Sequence, residues 1–97
     1  MATEVAEIWR NCFRQWPADL ERRGVLVTSF DEQIPFDGFA TSDDLLLLER
    51  RAPDTVGART VLVAYQCIQA LKIVEVTKAK AFQSMGFTIP PPTVKKH

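Results

Sequence analysis

The sequence predicts one small, mainly β domain with an amphipathic α-helix at its front. Three observations predict it. An apolar stripe of helical period runs through the first 16 residues. From Gly24 onward the period changes to short β-branched and apolar runs. Turn residues separate those runs, and five of them fit before residue 77.

The helix is the first element. Val5, Ile8, Trp9, Cys12, Phe13 and Trp16 recur at helical spacing, while Glu4, Glu7, Arg10, Asn11, Arg14 and Gln15 fill the other side. Thr3 suits the N-cap, and Glu4 sits where the helix dipole favours an anion. Pro17 opens a second short helical piece, so helical structure is expected over residues 4–22. Gly24 suits a left-handed stop after Arg22 and Arg23.

Five strands are expected next, in a strongly bent barrel over residues 25–76. Val25 to Phe30 is the first, and Asp31-Glu32 the turn after it. Gln33 to Thr41 is the second. Pro35 removes one backbone donor and Gly38 permits a sharp bend, which points to an edge or a curved strand. Ser42-Asp43 is a tight turn, and Asp44 to Arg51 is the third strand. Its run Leu45–Leu48 is too apolar to face water, so both faces are expected to be covered. The loop over 52–58 contains Pro53, Asp54 and Gly57. Arg59–Tyr65 and Ile68–Val76 are the fourth and fifth strands, joined by a short turn around Gln66-Cys67. Lys78–Met85 is read as one or two helical turns stopped by Gly86, with coil as the alternative. Residues 88–97 hold three consecutive prolines and two lysines, and are expected to form a mobile tail after a single domain over 1–87.

Composition excludes several classes. A hydrophobic fraction of 46% and a charged fraction of 25% are those of a globular protein. The densest apolar stretch, Val61–Tyr65, is too short to span a bilayer. Charged residues break every apolar run near the N-terminus, so no secretory signal is expected and the cytoplasm is the expected compartment. Cys12 and Cys67 have no CxxC spacing and are expected to be reduced thiols, without disulfide or metal. Net charge is zero, yet residues 25–50 carry one basic and six acidic side chains, whereas residues 51–97 carry seven basic and two acidic. The acidic middle would repel phosphate, so a nucleic-acid surface must lie elsewhere. Opposite blocks can also pair between subunits.

The order and spacing of these elements resemble the Sm-like family of Sm, Lsm and Hfq proteins. The likeness covers residues 6–76. Val25–Phe30, Asp31-Glu32, Ile34–Asp37 and Gly38 resemble the family's first motif, in which a glycine sits in the bent second strand. Asp43 or Asp44 lies near the family's loop aspartate, and Leu45–Leu48 resembles the third strand. Val61-Leu62-Val63, a turn and Ile68 resemble the second motif. The resemblance implies a ring in which the unpaired fourth strand meets the fifth of a neighbour, an interface that closes by rotation. It also implies RNA binding. Two departures bear on that. Leucines Leu46 to Leu48 stand where the family carries an asparagine, and Ala64-Tyr65-Gln66-Cys67 stands where it carries a basic residue. Tyr65 is left to stack on a base and Gln66 to hydrogen-bond one, with Asp44 near them.

Catalysis finds no residue set. The single histidine is His97 at the end of the tail. Asp43 and Asp44 are adjacent and read as a polar turn rather than a metal site, Cys67 has no neighbouring base, and the glycines are scattered. No cofactor and no small-molecule substrate is expected. Ile8, Trp9, Phe13 and Trp16 are the most informative surface. They either plug the open end of the barrel or dock on a partner. The expected function is thus a non-enzymatic, homo-oligomeric scaffold or binding module, with RNA as its partner in one reading. The alternative is a protein-interaction subunit docking through the aromatic helix, with no nucleic-acid role.

Overall fold

A computed structural model describes residues 4–90. Thr3 and most of the expected tail, including His97, lie outside the described residues. Helix α1 spans Glu4–Arg14, shorter than expected. Its last turn closes with Gln15 N–H on Asn11 C=O. Pro17 then supplies no donor, and residues 17–23 form turns instead of a second helix, with Leu20 N–H on Pro17 C=O. Gly24 is no left-handed stop either. It opens strand β1, and positive φ among the glycines is confined to Gly57 and Gly86.

Six strands follow, in two three-stranded sheets rather than one closed five-stranded barrel: β1 (Gly24–Thr28), β2 (Gln33–Phe36), β3 (Gly38–Thr41), β4 (Leu45–Glu49), β5 (Thr60–Ala64) and β6 (Ile68–Lys72). All pairs are antiparallel, in the orders β2-β1-β6 and β3-β4-β5. The sixth strand arises because the expected second strand breaks at Asp37. Antiparallel pairing alternates inward and outward backbone groups. Thr28 N–H bonds Glu32 C=O, so even-numbered residues of β2 face β1. Asp37 N–H, in the opposite phase, bonds Glu49 C=O. The chain 33–41 therefore serves β1 on one edge and β4 on the other. Pro35, opposite Val25, falls in the phase facing away from β1 and removes no bond from that ladder.

The sheets do not close because the 3-10 turn Tyr65–Cys67 directs β6 back along β1, not along β5. Ser29 N–H on Cys67 C=O marks the start of that pairing. The fifth predicted strand stops at Lys72, opposite Val25, one residue inside the start of its partner β1. A second 3-10 segment, Ala79–Met85, ends at Gly86 in the left-handed conformation, at the place the sequence suggests.

The core lies between the sheets and under α1. Leu26, Ile34, Phe36, Phe39, Leu46, Leu48, Val63, Tyr65 and Ile68 are buried, with Ala6 and Phe13 from the helix. Phe13 is 1% exposed and meets Phe39 edge-on at 5.0 Å between ring centres. Trp16 stacks on Phe13 at 5.7 Å and meets Phe39 at 4.9 Å. Its indole N–H bonds Leu20 C=O, which ties the turn after α1 to the core. Arg22 lies 3.8 Å over the Phe39 ring and donates to Phe39 C=O at 2.9 Å, closing the other side of the cluster. Strand β4 departs from expectation. Leu46 and Leu48 are wholly buried, but Leu45 is 41% exposed and Leu47 half-buried, so the described residues do not cover the outer face.

Candidate functional site

The sequence-predicted residues Asp44, Tyr65 and Gln66 do come together. With Ala6, Asp43, Leu45 and Ala64 they line a cavity of about 230 Å³ where α1 crosses the β3–β4 turn and the 3-10 turn. Each wall has a local cause. Ser42 and Leu45 close the β3–β4 turn: Ser42 N–H bonds Leu45 C=O, and the Ser42 hydroxyl accepts from Leu45 N–H at 3.0 Å. That two-residue connection leaves Asp43 and Asp44 exposed at its tip. The 3-10 turn brings Tyr65 inward and leaves Gln66 exposed.

Tyr65 is placed differently from the stacking role. Its ring is fully buried, and its hydroxyl donates to Ser42 C=O at 2.9 Å. No face of the ring is open to a base. Burial pushes its phenol above the ordinary value, so it stays a neutral donor at neutral pH. Tyr65 thus fixes the turn that presents Asp43 and Asp44. Of the three predicted contacts, Gln66 and Asp44 present polar groups to solvent here.

Two arginines complete the cavity's surroundings. Arg14 Nη2 pairs with Asp43 Oδ1 at 3.0 Å, and Arg10 Nη1 donates to Asp43 C=O at 3.2 Å. Their i, i+4 spacing on the polar side of α1 is visible in the sequence, but Asp43, distant in the chain, is not a partner that helical spacing indicates. This exposed pair contributes at most about 1 kcal/mol, but it holds the turn against the helix. It also offsets one acidic charge at the cavity mouth. Leu46 and Leu48 are core and Leu47 belongs to the outer face, so none adds a polar group to the site.

The aromatic face of α1 divides. Trp9, Phe13 and Trp16 pack on the core, whereas Ile8 is 58% exposed and Val5 is also exposed. The helix rolls about Ala6, Trp9 and Phe13, which leaves Val5, Ile8 and Cys12 on a flanking stripe. Met85 covers the end of that stripe, its Sδ 3.9 Å from Cys12 Sγ, and Ser84 donates to Gln15 C=O at 3.1 Å. Burial raises the Cys12 thiol above its ordinary value, which disfavours the reactive thiolate. Both cysteines are free.

Among the described residues no group of His, Cys, Asp and Glu is arranged to hold a metal ion, and no helix is long and apolar enough to cross a membrane. No family model, curated protein or solved structure was found to match the chain. The functional reading therefore stands on geometry alone.

Proposed function

We propose that the chain is a non-enzymatic, Sm-like, homo-oligomeric scaffold or binding module acting in the cytoplasm, with RNA as a partner met at Gln66 and Asp44. The observation that carries this reading is the free edge of β5 beside an uncovered apolar row. Ala40, Leu47 and Leu62 sit opposite one another across β3, β4 and β5. With Leu45 they line an open groove, and Leu62 is 60% exposed. Arg50 N–H on Arg59 C=O sets the phase of the β4–β5 ladder, so the backbone groups of Thr60, Leu62 and Ala64 point outward. β6 is likewise an outer strand, in the other sheet. Two antiparallel edges exposed at different places on one subunit suit a heterologous contact repeated around a ring.

Light scattering over a range of concentrations tests it. The expected result is a discrete multiple of the 11.0 kDa chain. Leu62→Pro removes one outward donor and the exposed leucine, and is expected to release folded subunits. A concentration-independent monomer overturns the oligomer. RNA binding is tested separately, by retention of a single-stranded oligoribonucleotide at low salt. Gln66→Ala is expected to weaken that retention, and raising the salt to weaken it steeply. No retention at low salt removes RNA from the reading and leaves the scaffold.

A further inference from the structure

A second cleft lies where the two sheets part. Its volume is about 350 Å³, at the lower end of pockets that hold small ligands. It shares no lining residue with the cavity around Gln66. Its floor is apolar, with Val25, Pro35, Phe36 and Val74. Three arginines line it, Arg23, Arg50 and Arg51, with Asp37. They come from distant parts of the sequence: Arg23 precedes β1, and Arg50 and Arg51 follow β4. The break of the long strand at Asp37 brings them to one place.

Two of the three guanidinium groups are held by the Nε corner. Arg50 Nε donates to Ala52 C=O at 3.2 Å, and Arg51 Nε to Asp37 Oδ2 at 3.3 Å. Arg23 Nε lies 3.1 Å from Glu21 Oε2, but it is shielded from solvent and makes no hydrogen bond there. Among the described residues, none of the three has a hydrogen bond or ion pair recorded at its Nη atoms. An arginine anchored at Nε and open at Nη is pre-organised for two parallel bonds to an oxyanion. Asp37 pairs with Arg51 and Glu21 with Arg23, and the Asp54 carboxylate lies close enough to feel the charge of Arg50, which disfavours a polyanionic strand and favours a small ligand of low charge. The apolar floor calls for a flat or apolar body on that ligand.

We infer that this cleft binds a small phosphate monoester, its phosphate held by Arg50 and Arg51 and its apolar or aromatic body laid on Val25, Pro35 and Val74. Nucleoside monophosphates and aryl phosphates share this chemistry. Titrations of the full chain with phenyl phosphate, adenosine 5′-monophosphate and inorganic phosphate, followed by amide NMR shifts at low salt, separate them. Saturable shifts at Val25, Asp37, Ala52 and Val74 with phenyl phosphate, and weaker binding of inorganic phosphate, are expected. Tighter binding of adenosine 5′-monophosphate assigns a nucleotide; equal or weaker binding assigns a non-nucleotide ester. Arg50→Ala is expected to cost about tenfold or more in affinity. The only hydrogen bond its side chain makes is to a neighbouring loop carbonyl, and the backbone bond to Arg59 C=O is kept in the variant, so the melting temperature is expected to hold. Arg51→Lys, which keeps the charge but loses the fork, is expected to weaken binding as well. Absence of saturable shifts with all three probes overturns the site. So do shifts spread equally over Lys78 and Lys80, phosphate binding as tight as its esters, or an Arg50→Ala variant that binds as well as the parent. None of these readouts depends on the oligomeric state.

Discussion

Two glycines in the sheets occupy similar positions but predict different outcomes on substitution. A Cβ on Gly24 would lie 2.6 Å from the carbonyl oxygen of Lys72, with Phe36 and Leu71 at 3.4 and 3.6 Å. That oxygen is backbone of β6, opposite Val25 in the ladder, and cannot swing aside. The strands must part by several tenths of an ångström, and overpacking of this kind costs about 1–3 kcal/mol. A Cβ on Gly38 would lie 2.8 Å from Glu49 Oε1, the free end of an exposed, flexible side chain. Glu49 can rotate away, and replacing a strand glycine recovers roughly 0.5–1 kcal/mol of chain entropy. Gly24→Ala should therefore lower the melting temperature by about 5–20 °C, taking about 4–8 °C per kcal/mol for a domain of this size. Gly38→Ala should leave it unchanged or raise it slightly. Thermal unfolding followed by far-UV circular dichroism, at one fixed protein concentration, makes the comparison. Equal shifts for the two variants, or a Gly24→Ala protein as stable as the parent, would refute the close approach of β1 and β6.

Further outcomes follow from the turns and the core. Tyr65→Phe deletes the bond to Ser42 C=O and should cost about 0.5–1.5 kcal/mol in chemical denaturation, whereas Tyr65→Ala should cost several times more through the cavity it leaves. Asp31 adopts a left-handed φ of 63° in the β1–β2 turn. Asp31→Gly should stabilise by up to about 1 kcal/mol, while Asp31→Val should destabilise by a similar or larger amount, measured by the denaturation midpoint. Phe13→Ala should cost about 3–5 kcal/mol, since the ring touches Trp9, Trp16, Phe36 and Phe39. The Asp54 carboxylate accepts N–H bonds from Ala58 at 2.8 Å and Val56 at 2.9 Å, and the first of these leads in holding its pKa below the ordinary 3.8. A depressed carboxylate pKa stabilises above the unfolded value and loses that contribution as pH falls through the folded one. The Val56 and Ala58 amide signals should thus keep their positions at pH 5 and move together only below about pH 3.8.

Much of the strand layout was legible because its signals are local. Pro35, Gly38, Ser42-Asp43, the Asp54 loop and Gly86 each announce a break, and breaks fall at or beside them. What was not legible depends on partners distant in the chain. The fifth predicted strand stops at Lys72 because its partner β1 begins only at Gly24, although Ile73 and Val74 continue the β pattern. Gly24 was read for conformational freedom, yet the carbonyl of Lys72 is what makes its missing side chain matter. Tyr65 stands in the turn stretch Ala64–Cys67 where the resembling family contacts RNA, and that position alone suggests a base-stacking ring. Its burial comes from α1 crossing over that turn, which no local pattern encodes. The arginine cleft was missed for the same reason. Arg23, Arg50 and Arg51 look like ordinary solvated charges until the break at Asp37 brings them together.

The leucine run of β4 links the fold to the proposed function most directly. A strand with apolar residues on both faces asks for two coverings. One is present: Leu46 and Leu48 meet the core beneath α1. The other is absent among the described residues, which leave Leu45, Leu47 and Leu62 open. The free edge of β5 borders the same face, so a single approaching strand would satisfy backbone donors and cover apolar side chains at once. Charge does not oppose such an approach. Asp43, at the tip of the adjoining β3–β4 turn, is engaged by Arg10 and Arg14, and the net charge of the whole chain is zero. Leu62→Asp would place a carboxylate on this face without altering the buried ladder residues. It should abolish assembly and leave the folded subunit intact; an unchanged oligomer would mean that the covering partner binds elsewhere.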